Sequence, residues 1–115
     1  MAFVVQKLRD RVKELRKAFA DGQSIELTYK PHIFTAEQQA EFEANIEDDD
    51  KSPKERLVYL ADYLCQSVIE WNATSTDGGP TIALQKEVLM GELFDFLMFV
   101  FNVIAEDKKA EKQKR

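Results

Sequence analysis

One histidine, one cysteine and a run of three aspartates are the side chains best suited to chemistry, and their spacing gives none of them a partner. His32 directly follows Pro31, and with no second histidine and no CxxC pair zinc has no ligand set to use. Cys65 has no neighbour in sequence that would activate it as a nucleophile. As the single cysteine it excludes an internal disulfide and suits a reducing compartment. Asp48, Asp49 and Asp50 could hold a hard cation loosely, but they lack the spacing and the closing Glu of an EF-hand loop. Glu92 and Asp95 lie three residues apart on a stripe expected to be exposed, with nothing to tune either as an acid. Gly78-Gly79 is a lone pair in a turn, neither a Walker loop nor GxGxxG. The expectation is a binding protein rather than an enzyme, with no cofactor and no metal.

The balance of charge narrows the partners. A net charge of −5 argues against sequence-independent nucleic-acid binding, which needs clustered positive charge. Residues 7–17 carry six basic and two acidic side chains, whereas residues 37–50 carry seven acidic and none basic, so two faces of opposite sign are expected. The opening MAFVVQKLRD does not read as a signal peptide, and the expected location is the cytosol. Asn72-Ala73-Thr74 matches the glycosylation pattern, but a cytosolic chain would not be modified there.

The element that must organise all of this is the hydrophobic stretch 84–106. Of the twelve residues 93–104 only Asp95 and Asn102 are polar. On a helix Glu92, Asp95, Asn102 and Glu106 fall within about 80° of one another, leaving an apolar arc wider than the ~100° a one-sided surface helix needs. Phe99 falls inside the polar stripe, where it reads as spare hydrophobic surface. Glu87, Glu92 and Asp95 interrupt the run too often for it to cross a bilayer, so no membrane is expected as partner.

The remaining elements follow in order. Val4, Val5, Leu8, Val12, Leu15 and Phe19 recur at helical spacing and predict an amphipathic helix over 3–20 with a basic back, ended by Asp21-Gly22. Residues 24–30, SIELTYK, alternate as a half-buried strand ended by Pro31. No second clear alternating run exists to pair with it, so the same strand of another copy is a candidate mate. Thr35 with Gln38, and Ser52-Pro53 with Glu55, read as capping boxes opening helices over 35–46 and 53–71, separated by the acidic linker 47–51. A turn-rich loop holds Asp77-Gly78-Gly79-Pro80 at its tip, a helix over 85–106 follows, and the charged tail is expected to fray.

These elements predict a mainly α fold: a small four-helix domain over 1–107 with one short N-terminal strand or hairpin edge, then a flexible tail over 108–115. The expected core packs Leu57, Leu60, Leu64, Val68 and Trp71 on Leu93, Leu97, Phe101 and Ile104. The candidate partner-binding residues are Val88, Phe96, Met98 and Phe99 on the last helix, with Ile25, Leu27 and Tyr29 on the strand.

Two pieces of the chain, IELTYKPHIFTAEQQAEFE at 25–43 and VIEWNATSTDGGPTIALQKEVL with the following helix at 68–104, together resemble the tail assembly chaperones of long-tailed bacteriophages with non-contractile tails. That family often carries a helix ending in a Trp-Asp-like pair, a DG-containing turn, a Pro-rich step and a final hydrophobic helix. Asn72 departs from the more usual acidic residue, and the basic segment before the strand is longer. The resemblance implies binding to the tape measure protein, which is kept soluble while tail tube subunits polymerise around it. It also implies action in the host cytoplasm, absence from the finished particle, and a second, longer form made by ribosomal frameshifting, for which Lys108-Lys109 offers a place. The alternative expectation is a helical adaptor that closes a homo-oligomer through strand 25–30 and helix 84–106, without a chaperone role.

Overall fold

A computed structural model describes residues 2–19 and 21–113. In order, the elements are α1 (Val5–Arg9), β1 (Lys13–Ala18), β2 (Ser24–Tyr29), α2 (Ala36–Ile46), α3 (Pro53–Ser67), β3 (Val68–Trp71), α4 (Lys86–Leu89) and α5 (Phe94–Gln113). The three strands form one antiparallel sheet in the order β1-β2-β3. The architecture is therefore α+β, with a helical layer against one face of a sheet, and the expected mainly α four-helix domain is corrected.

The correction begins in the first twenty residues. The expected helix 3–20 exists only as the five residues of α1, after which the chain becomes a strand. Lys13 pairs with Tyr29, Leu15 with Leu27 and Lys17 with Ile25, so β1 supplies the mate that strand 24–30 lacked. Phe19 donates its amide to the Gln23 carbonyl and Gly22 takes a φ of 90°, closing a hairpin at a left-handed position that glycine reaches without strain. Asp21 assists by accepting from the Gln23 amide at 3.0 Å. Asp21-Gly22 thus turns a hairpin instead of ending a helix.

The second correction lies at the end of α3. The helix stops at Ser67, and Val68–Trp71 becomes the third strand, with Trp71 opposite Leu27 and Val68 opposite Tyr29. A register shift between Thr28 and Tyr29 leaves Ile69 exposed. The stripe that predicted burial of Val68 and Trp71 is satisfied, but from a strand.

Helix starts follow the capping chemistry. Gln38 N donates to Thr35 Oγ1 at 3.1 Å and Thr35 N to Gln38 Oε1 at 2.9 Å, a reciprocal box. Ser52 Oγ accepts from Glu55 N at 3.2 Å, with Pro53 in the first turn. Arg56 Nε closes the other end of α2 by donating to the Ile46 carbonyl at 2.6 Å, while its guanidinium lies 4.9 Å from the Phe94 ring centroid.

Ile25, Leu27 and Tyr29 point from the central strand into a core completed by Leu60, Leu64, Leu97, Phe101 and Ile104. Leu57 packs against its margin. Leu93 does not belong to it. The expected continuous helix 85–106 is two helices, with residues 90–93 forming a turn around Gly91, a poor helix former, and this turn leaves Leu93 75% exposed. In the other direction α5 continues to Gln113, well into the segment expected to be a flexible tail.

Candidate docking surface

Cys65, Tyr29 and Lys13 are each tied to neighbours within the fold. Cys65 donates its thiol to the Asp62 carbonyl at 3.3 Å, and burial, with Asp62 nearby, pushes its pKa up, away from the reactive thiolate. Tyr29 Oη donates to Asp107 Oδ2 at 2.5 Å. Lys13 Nζ lies 2.9 Å from the same carboxylate and 2.6 Å from Glu111 Oε1. Burial first, then Asp107, drives the Tyr29 hydroxyl far above the ordinary phenol range, so it serves as a donor. The hydrogen bond to Glu111 raises the Lys13 pKa despite partial burial, fixing it as a cation. This cluster clamps α5 onto β1 and β2. Among the described residues no three His, Cys, Asp or Glu side chains gather as metal ligands. Among the same residues no helix is long and apolar enough to cross a membrane.

What the fold leaves uncovered is hydrophobic. Leu89 is completely buried and pins α4 against α3. Its neighbours Val88 and Met90 are consequently turned outward, and the turn at residues 90–93 presents Leu93 beside them in sequence. Three large apolar side chains within six residues thus face solvent at the α4–α5 corner. A second apolar group lies on the N-terminal arm, where Phe3, Val4 and Val5 are exposed and α1 buries no residue. The arm is tied down by Arg9 Nη2, which donates to the Ile33 carbonyl at 3.1 Å, and by the ion pair of Asp10 with Lys30 at 3.9 Å. Single exposed apolar side chains are ordinary, and three within six residues of sequence make this corner the candidate surface for another chain to cover.

The residues singled out for partner binding fall into three groups. Val88 is exposed at the corner. Phe96, Met98 and Phe99 are partly buried against the core. Phe96 lies 5.5 Å from Trp71 between ring centroids, and Phe99 lies 4.1 Å from Phe19 of the hairpin. The hairpin therefore covers Phe99, the position on α5 expected to be spare hydrophobic surface. Ile25, Leu27 and Tyr29 are buried on the inner face of the central strand, with a partner strand on either side, so strand 25–30 offers no edge to another copy. Met90 and Leu93 are the surface residues that sequence reasoning missed. The signal was Gly91, whose low helix propensity warned of the break that swings Leu93 out of the core.

Asn72, the departure from the resemblance, has a local purpose. Its Oδ1 accepts from Glu26 N at 2.9 Å, its Nδ2 donates to Ser24 O at 3.0 Å, and its own amide donates to Glu26 O. The carboxamide extends the ladder beyond β3. Trp71 Nε1 meanwhile donates to the Ile82 carbonyl, holding the returning loop against the sheet. Comparison of the chain with family models, with curated proteins and with solved structures finds no match.

Proposed function

We propose that the chain is a tail assembly chaperone of the long-tailed phage type. It binds the tape measure protein, a long and largely helical client, and keeps it soluble while tail tube subunits assemble around it. It acts in the host cytoplasm and is absent from the finished virion. The observation that carries this reading is the exposure of Val88, Met90 and Leu93 where α4 meets α5, on a chain of net acidic charge. An amphipathic client helix buries its own apolar stripe on such a surface, and the surrounding acidic charge keeps the complex dispersed. The segments at 25–43 and 68–104 supply the family resemblance, and they include β2 from Ile25 onward, β3, the Trp71 loop and the corner itself.

Co-expression with the tape measure protein encoded by the same genome tests it. The wild-type chain should bring the client into the soluble fraction, and Met90→Asp with Leu93→Asp should lose that effect while melting at the same temperature. A client that stays insoluble beside the wild-type chain, or soluble beside the double variant, overturns the reading.

A further inference from the structure

The outer edge of β1 carries an unused set of backbone groups, and the side chains along it are complementary to themselves in reverse. Phe19 N donates to Gln23 O, which fixes Phe19 and Gln23 as a hydrogen-bonded pair. Alternation along an antiparallel ladder then makes Lys17 with Ile25, Leu15 with Leu27 and Lys13 with Tyr29 the other such pairs. The backbone N–H and C=O groups of Glu14, Arg16 and Ala18 therefore point away from β2. The opposite strand agrees: Glu26, across from Arg16, spends its backbone groups on Asn72 at the β3 side. Among the described residues no strand pairs with that outer edge of β1.

We propose that this edge pairs with the same edge of a second copy, joining two three-stranded sheets into one of six strands across a two-fold axis. Strands whose free groups belong to residues 14, 16 and 18 can meet antiparallel only in registers that set these residues against one another. In the register centred on Leu15, Glu14 faces Arg16 of the other copy and Arg16 faces its Glu14. At the two ends Val12, exposed though apolar, meets Ala18. Sliding the strands by one step of two residues sets Arg16 against Arg16, or in the other direction Glu14 against Glu14. Only the central register satisfies the outer face from end to end. On the inner face Leu15 meets Leu15, and Lys13, which faces Lys17 of the other copy, is already held by Asp107 and Glu111. The second copy is thus the occupant that the sequence of this edge specifies. The inference concerns assembly alone and stands apart from the identity of any client.

Sedimentation equilibrium on the full chain decides it. The wild-type protein should move from monomer to dimer with concentration, at the weak end of specific association, so samples reaching roughly 500 µM are needed. Glu14→Arg and Arg16→Glu should each raise the dissociation constant at least about tenfold by facing like charges. An equimolar mixture of the two should recover the wild-type affinity as a heterodimer, because both pairs that set residue 14 against residue 16 are then opposite in sign. Arg16→Pro, whose lost N–H faces solvent, should remain folded and monomeric. In the wild-type chain the amides of Glu14, Arg16 and Ala18 should exchange more slowly as concentration rises. A monomer throughout, an association indifferent to these substitutions, or edge amides indifferent to concentration overturns the proposal.

Discussion

The phenolic hydroxyl of Tyr29 donates to the carboxylate of Asp107, 78 residues away in sequence, at 2.5 Å. Lys13, opposite Tyr29 in the ladder, reaches the same carboxylate. One acceptor on α5 thus binds the central strand and the edge strand together. Tyr29→Phe removes the donor and leaves Asp107 with Lys13, so it should cost about 1–3 kcal/mol by denaturant unfolding. A loss under about 0.5 kcal/mol would be typical of a surface change and would show that the clamp does not hold the helix to the sheet.

The same bond sets the response to alkali. Burial foremost, then Asp107, raises the Tyr29 pKa; burial raises that of Tyr63, and the Glu111 hydrogen bond heads the causes that raise Lys13. Each of these groups holds its proton more tightly when the chain is folded. Their contribution is therefore complete below the unfolded values, about pH 10 for a phenol and slightly higher for an amine, and declines as the pH climbs through that range. The melting temperature should fall above about pH 10, and Tyr29→Phe should fall less steeply than wild type. Equal slopes would remove Tyr29 as a source of the effect.

How much of this was legible depended on which residues spoke for themselves. Thr35 with Gln38, and Ser52-Pro53 with Glu55, announced two helix starts because a cap is local chemistry. Leu60, Leu64, Leu97, Phe101 and Ile104 announced the core because a helical stripe survives whatever packs on it. Lys13–Ala18 was illegible: KELRKA favours a helix by propensity, and it is a strand because β2 offers a ladder and Asp107 and Glu111 capture Lys13. Asp21-Gly22 was the available clue, since Asp-Gly turns hairpins as readily as Gly ends helices. At the docking corner only Val88 was anticipated. Met90 and Leu93 depended on the helix break at residues 90–93, for which Gly91 was the one local signal.

Phe101 and Leu93 separate core from corner. Phe101 is almost wholly buried and meets Tyr63 edge-on, with ring centroids 5.1 Å apart. Phe101→Ala should cost about 3–5 kcal/mol, whereas Leu93→Ala should stay within about 0.5 kcal/mol of wild type. A large loss from Leu93→Ala would return that side chain to the core and empty the docking surface of its most exposed member.

Phe19 and Phe99 give a direct measure of how firmly the hairpin rests on α5. Their rings lie 4.1 Å apart between centroids and 33° from parallel. A double-mutant cycle with alanine at both positions should yield a coupling of about 0.5–1.5 kcal/mol, as for other aromatic pairs. Additive losses would mean that the hairpin tip does not bear on the helix and that Phe99 is free for a partner.

Residues 108–113 carry the last test. The charge pattern marks them as expendable, yet they form the final turns of α5, where Lys108 Nζ donates to Gln39 Oε1 at 3.1 Å and Glu111 holds Lys13 at 2.6 Å. These contacts are near the surface and worth about 0–1 kcal/mol each. Their helical turns have a second effect. They carry the negative end of the helix dipole away from Asp107, which would otherwise sit as a carboxylate at the C-terminus of the helix, at an electrostatic cost of about 0.3–1 kcal/mol. A chain ending at Asp107 should therefore fold but unfold at lower denaturant, with a total loss of about 1–2 kcal/mol. Restoring residues 108–111 should recover most of that loss by replacing both the added turn and the Glu111 contact. Identical unfolding of the shortened chain would show that α5 needs nothing beyond Asp107. A longer form diverging at Lys108-Lys109 could then carry an unrelated sequence there without weakening the domain.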